Sequence, residues 1–492
     1  MTLRAHSTRS TPRSTPRFAR LAAALAAVLP LLAAPAALAA DTAALERRIA
    51  ALQAELDQAR AALIEAKEAS EAAYTRASEA EQQLAEAGAP SADKITFGPL
   101  TIGGALRANY VLGSYPNRGS SGAYPNTGPS RGGNGGDFEL ETFRINMDLQ
   151  YENLIGKLEY RWYNGYNFLH TGWLGWAFDD GSRIEVGQNR VPFGPGPYGV
   201  SQSWFFDQHF YVGLADDMDL GLKYSTNLGD WALDLGYYNR AQWDGNGKSL
   251  DSARYDYDIV PWTGGVAPDG TVSYNIEPNG WEERNQFNLR AIYKLDEVAV
   301  PTEIGTSLQW GQLKGRRTDD GEHWAASVHM KNSWNNWLLA TQLTRYKIEV
   351  DDNPFLSTDA LVPMGAYDFP WPVATDAWIP AVSLSYLWET HGIPWLDSVR
   401  PYVEYSSIVK EDSDFNDSQL VVLGAAWARR GWYIYTDLAF SDGNLFVGNE
   451  TSAGTPEGYG NLFDPTLGAG DFGANANDHW NYRLNINFGY YF

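Results

Sequence analysis

The chain contains no cysteine, which excludes disulfide scaffolds, Cys-ligated zinc, iron–sulfur clusters and thiol catalysis together. Bases are scarce: 37 Lys and Arg stand against 60 Asp and Glu in 492 residues. Polyanion binding needs clustered Lys and Arg, so nucleic acid is not expected as a partner. After residue 40 no apolar run reaches membrane-spanning length, which excludes a helical membrane protein. Histidines are few as well. Those at 6, 170, 209, 323, 329, 391 and 479 form no close pair with metal-ligand spacing, so no metal and no cofactor is expected. What the chain has in plenty is glycine (48) and aromatics (19 Trp, 28 Tyr, 20 Phe), a composition that points to extended β-structure.

Three segments differ in pattern. Met1 to Arg20 carries five arginines and no acid, and Leu21 to Ala40 is almost wholly Ala, Leu and Val. With the small-x-small pattern Ala37-Leu38-Ala39, residues 1–40 read as a secretory signal peptide. Pro30 and Pro35 argue against the alternative, a membrane anchor. From 41 to 90, Leu45, Ile49, Leu52, Leu56, Ala59 and Leu63 open a 4,3 spacing that runs on to Leu84. That is a heptad seam, which predicts a left-handed coiled coil wanting partner copies; a solvated single helix is the alternative. Residues 91–98 read as a linker.

From 99 to 492 the period changes to two. Phe143, Ile145, Met147, Leu149 and Tyr151 alternate with Arg144, Asn146, Asp148 and Gln150, and fifteen further segments alternate, several of them (around 336–348 and 418–428) too weakly to assign a face. Odd-to-even joins are mostly long and even-to-odd joins mostly short. This predicts an all-β transmembrane barrel of sixteen antiparallel strands with long external loops and short periplasmic turns, preceded by the periplasmic α-helical coiled coil. A soluble β-sandwich or propeller is the competing fold. Against it stand the aromatics Tyr151, Trp231, Trp337 and Trp432 beside short turns, and opposite faces too charged for a dry core. The last segment alternates from Trp480 through Tyr490 to the final Phe492. It resembles the C-terminal strand by which Gram-negative outer-membrane proteins are recognised for barrel insertion, which makes Tyr490 and Phe492 the expected barrel-assembly signal.

The polar face of such a barrel lines its lumen. It carries Arg107, Arg144, Lys157, Arg161, Arg183, Lys223, Arg240, Arg290, Lys294 and Arg483 against Asp148, Glu159, Glu185, Asp219 and Asp234. Loops 349–378 and 442–478 hold acids and no base. A basic wall favours anions and an acidic mouth opposes them, so the sign of selectivity stays open.

The stretch Val186-Gly187-Gln188-Asn189-Arg190-Val191-Pro192-Phe193-Gly194 resembles the G-Q-x-K/R-x-P-F-G pattern of the phosphate-selective porin O and P family. A coiled coil ahead of a sixteen-stranded barrel is similar to the trimeric dicarboxylate porins. The resemblance implies a homotrimer whose third external loop, near 195–217, folds inward and narrows the pore with Asp207, His209, Asp216 and Asp217. That loop has no Lys or Arg, unlike a cationic phosphate site, and a surface lid of packed aromatics is its other reading. The expectation is an outer-membrane porin passing small hydrophilic solutes and ions; if anions are preferred, phosphate or small carboxylates are the candidates. It is not expected to be an enzyme; Asp207 and His209 are the nearest approach to a hydrolase pair. Lipid, lipopolysaccharide and peptidoglycan are the expected contacts. The alternative role is a structural anchor that holds peptidoglycan through the coiled coil.

Overall fold

The structure is a computed structural model describing residues 95–114, 136–247, 249–261, 265–266, 272–273, 280–296, 298–351, 359–390, 392–447 and 480–492. The leader (1–40), the coiled coil (41–90) and most of the acidic loop 442–478 lie outside the described residues.

Sixteen strands follow one another: β1 Leu100–Gly113, β2 Asp137–Tyr151, β3 Leu154–Tyr163, β4 Asn167–Ala177, β5 Arg183–Arg190, β6 Met218–Leu228, β7 Trp231–Arg240 and β8 Gly280–Leu295 make the first half. The second half is β9 Thr302–Arg316, β10 Gly321–Trp334, β11 Trp337–Glu349, β12 Asp376–Tyr386, β13 Ser398–Lys410, β14 Ser418–Arg429, β15 Trp432–Asp442 and β16 Trp480–Tyr491. Each pairs antiparallel with its chain neighbour. β16 then pairs with β1, from Ala105 opposite Tyr491 to Gly113 opposite Arg483. The sheet is a closed barrel with no free edge. Short segments Ile95–Phe97 and Trp388–Glu389 add to the sheet beside β1 and β13.

Local chemistry explains the hairpins. Four two-residue turns begin with a left-handed residue: Glu152 (φ 52°), Gly229 (φ 60°), Asn335 (φ 52°) and Arg430 (φ 51°). Positive φ there matches the right-handed twist of the flanking strands. Rings close around the same turns, with Trp231 4.9 Å from Tyr293, Trp337 4.9 Å from Tyr386 and Trp432 5.1 Å from Tyr490.

Several pairs carry an extra residue. Register shifts place Glu141 outside the β1–β2 pairing, His170 outside β3–β4 and Asn239 outside β6–β7, and another falls between Arg284 and Phe287. A bulge inverts the side-chain parity beyond it. Hence β8 turns Trp281 and Glu283 inward before its bulge, and Gln286 and Asn288 inward after it.

The buried apolar core lies inside the barrel. The 3-10 turn Phe210–Val212, the segment after β7 and the hairpin Leu361–Ala366/Phe369–Ala374 pack together within the wall. The hairpin gains a third strand from Asp258–Ile259, with Met364 opposite Ile259. Phe210 lies 4.4 Å from Phe206 and 5.4 Å from Tyr255, and Tyr367 sits 5.7 Å from both Tyr255 and Phe446. This aromatic cluster fills lumen space at the long-loop end.

Candidate functional site

The inward wall is built of ion pairs. On β2 and β3, Glu159 Oε1 is 3.2 Å from Arg144 and 2.5 Å from Arg161. On β5 and β6, Glu185 is 3.2 Å from Arg183 and 2.9 Å from Lys223. Arg290 pairs with Asp234 at 2.7 Å across β7 and β8. Arg107 pairs with Glu141 at 2.8 Å. Glu141 escapes parity reading because it is the bulged residue, and only a pairing register reveals it. All of these charges except the exposed Arg183 are largely hidden from bulk water, so a partner offsets the cost of their desolvation.

The ten bases named from alternation differ in their surroundings. Lys157 and Lys294 lie half-buried near the short turns, and Arg183 is exposed there. Arg161 is roofed by the Tyr255 ring, 4.4 Å from its guanidinium carbon. Arg240 borders a cavity of about 270 Å³ that it shares with Arg254, Arg284 and Arg316. Arg483 stacks on Trp204 at 4.8 Å and donates to the Phe446 carbonyl.

The segment 191–217 leaves β5 and crosses to the opposite wall. Gly194 N donates to Ser307 Oγ on β9 (3.0 Å), Gln208 N to Ser406 Oγ on β13 (3.1 Å) and Trp204 N to Asp437 on β15 (2.9 Å). Glu404 accepts from Ser201 Oγ at 2.6 Å and from Gln202 N at 2.5 Å. Glu404 and Asp437 were missed in sequence because their strands give no clue that a loop docks on them.

Asp207 and His209 serve this crossing. Asp207 accepts from Val200 N (2.7 Å) and His209 N (2.8 Å), and its Oδ1 lies 2.8 Å from His209 Nδ1. His209 Nε2 is 2.8 Å from Thr344 Oγ1 on β11. The order carboxylate, imidazole, hydroxyl is that of a hydrolytic relay, but all three side chains are fully buried. Here the relay ties the loop to the wall.

Gly187, in the motif that ends β5, has φ +131°, and a Cβ there would stand 2.4 Å from the Gly172 carbonyl. Only glycine takes that conformation without strain. Three residues on, Arg190 reaches Asp216 of the crossing loop at 2.8 Å and lies over Tyr198. Burial raises the Asp216 carboxyl above its usual range, against the pull of Arg190 and Arg161.

Asp217, at the loop's end, belongs to a second group. It meets Asp219 of β6 and Asp258 of the 241–261 segment, with one carboxylate oxygen of each within 4.8 Å of the others. Burial, then the neighbouring carboxylates, pushes Asp217 well above the ordinary range, and Asp256 likewise. Burial also raises Asp258, opposed by Arg254.

At the seam, Phe492 N donates to Gly104 O (3.0 Å) and Gly104 N to Phe492 O (2.9 Å). Tyr490 faces outward against Trp432.

No protein-family model matches the chain, and no curated protein matches it. Among solved structures it is similar to OmpT of Vibrio cholerae, at 12% identity over 81% of this chain and 100% of that one (TM-score 0.45). The outer membrane channel DcaP of Acinetobacter baumannii matches at 10% identity over 82% and 100% (TM-score 0.47). An anion-selective porin from Comamonas acidovorans matches at 10% identity over 80% and 99% (TM-score 0.43). At such distances the lumen has to be read from its own residues.

Proposed function

We propose that this chain is a bacterial outer-membrane porin that passes small hydrophilic solutes and ions by diffusion, and that it is not an enzyme. One observation carries the reading. The outward face of the closed barrel is apolar, with Leu158, Leu174, Val186, Leu222, Leu235 and Leu308 exposed along the strands. Aromatics bound that band: Tyr151 (58% exposed), Trp231 (45%) and Trp432 (48%) near the short turns, and Phe138 (68%), Trp378 (41%) and Trp480 (51%) toward the long loops. A monomer in water does not keep so large an apolar belt exposed. In a bilayer the belt meets acyl chains and the rings meet headgroups. Lipid and lipopolysaccharide are then its lateral partners, other copies complete a homotrimer, and the N-terminal segment stands in the periplasm.

The wall supports an anion preference, for phosphate or small carboxylates. Glu159 and Glu185 each stand between two bases, so each cluster keeps a positive excess that focuses anions. The test is recording from the full-length protein in planar bilayers. Unitary current steps and a reversal potential displaced toward the anion in a KCl gradient are expected. A folded barrel that gives no steps overturns the reading. The aromatic packing in the lumen favours the alternative in that case, a structural anchor, whose mark is binding of peptidoglycan by the full chain.

A further inference from the structure

Five buried carboxylates, Asp217, Asp219, Asp256, Asp258 and Glu283, gather where the crossing loop, β6, the 241–261 segment and β8 converge. Part of their hydrogen-bonding capacity is used. Asp258 pairs with Arg254, Asp219 Oδ2 accepts from Gln286 Nε2 (3.1 Å), Asp256 Oδ2 from Met218 N (2.6 Å), and Glu283 Oε1 from Ile259 N (2.8 Å). The remainder is not. Oδ1 of Asp217, of Asp219 and of Asp256 is buried with no hydrogen-bond partner.

Two further observations point to an occupant. The Gln286 side chain, 2% exposed and hydrogen-bonded to Asp219, leaves its carbonyl Oε1 without a partner. A cavity of about 20 Å³ adjoins the group, lined on its polar side by Asp217, Glu283, Gln309 and His323. About 10–15 Å³ suffices for one water. Buried anionic oxygens without donors are costly unless they take up a proton or a cation takes their lone pairs.

We propose that Asp217, Asp219 and Asp258 bind a hard divalent cation, Ca²⁺ in preference to Mg²⁺, with a water in the adjoining cavity completing its shell. The donors are all oxygen, which suits alkaline-earth ions and disfavours Zn²⁺. Room for water decides between the two: Mg²⁺ dehydrates reluctantly and keeps several waters in a near-ideal octahedron, whereas Ca²⁺ accepts an irregular set of carboxylates, and the three donor oxygens here lie within 4.8 Å of one another beside space for about one water. The ion staples three segments: the end of the crossing loop, the wall at β6 and the segment that roofs Arg161. The site goes beyond the porin reading and does not depend on it.

The test is calorimetric titration of CaCl₂, and in parallel MgCl₂, into the full-length protein folded in detergent and stripped with chelator. One Ca²⁺ per chain is expected, with an affinity of about 10⁻⁴–10⁻³ M, the range of extracellular sites. Thermal unfolding should move up in Ca²⁺ and back in chelator. Asp219→Asn should weaken binding by about tenfold or more, at least the loss that removing an outer-shell partner causes at other metal sites, whereas Asp230→Asn, in the β6–β7 turn, should leave it unchanged. Heat-modifiable gel mobility reports that each variant is folded. If Asp219→Asn fails to fold, Asp217→Asn takes its place. Absence of binding by the wild type up to about 10 mM, tenfold above that range, overturns the proposal, as does binding that survives both ligand substitutions.

Discussion

Glu159 is buried between Arg144 and Arg161, and it accepts from both guanidinium groups. Removing its charge leaves two buried cations facing each other across a neutral amide. Glu159→Gln should therefore cost about 3–5 kcal/mol, the usual penalty for breaking a buried pair from one side, read as a lower midpoint in urea unfolding. Arg144→Gln should cost less, because Arg161 keeps the carboxylate. Equal midpoints for wild type and Glu159→Gln would sink the ion-pair account. At this scale alternation placed Arg144, Glu159 and Arg161 on one face from sequence. It said nothing of Glu141 or Glu283, since one bulged residue inverts parity and no residue type marks a bulge in advance. Gly187 is the partial exception: the motif contains it, but its φ of +131° became visible only in the folded strand.

The crossing segment 191–217 shows the same division among elements. Its aromatic content and its lack of bases were plain in sequence, but its docking on β9, β11, β13 and β15 was not. The groups that receive it are Ser307, Thr344, Glu404 and Asp437, each at least 113 residues along the chain from its bonded partner in the segment. Asp207 organises the segment locally through three hydrogen bonds. Asp207→Ala removes those acceptors and strands buried donors, so the loop should move away from the wall. Larger and noisier unitary currents in planar bilayers are expected from a barrel of unchanged gel mobility. Currents identical to wild type would show that this segment does not set the width of the path. The strands were far easier to read. Each apolar-out, polar-in stretch declares itself within about ten residues, and the short turns beside Tyr151, Trp231, Trp337 and Trp432 separate one from the next.

For the whole molecule, closure depends on the meeting of the two ends of the barrel. The last residue pairs with Gly104, where a Cβ would stand 2.7 Å from the Phe492 ring. Phe492→Ala should lower the folded fraction recovered from outer membranes, scored by heat-modifiable mobility, while leaving the conductance of the barrels that do form unchanged. Full recovery of the variant would remove Phe492 from assembly. Charge also divides at this scale: the excess of acid in the chain as a whole coexists with a wall on which two carboxylates are each flanked by two bases.

The sequence by itself determined that the chain forms sixteen strands, which face of the clearly alternating ones is apolar, and that long and short connections alternate, because these properties repeat within a few residues. Only the tertiary structure decided how the loops fill the lumen, which wall groups receive them, and that Asp217, Asp219 and Asp258 meet. Those contacts join residues remote in the chain, and their energy comes from desolvating charges together, a quantity no local pattern of residues records.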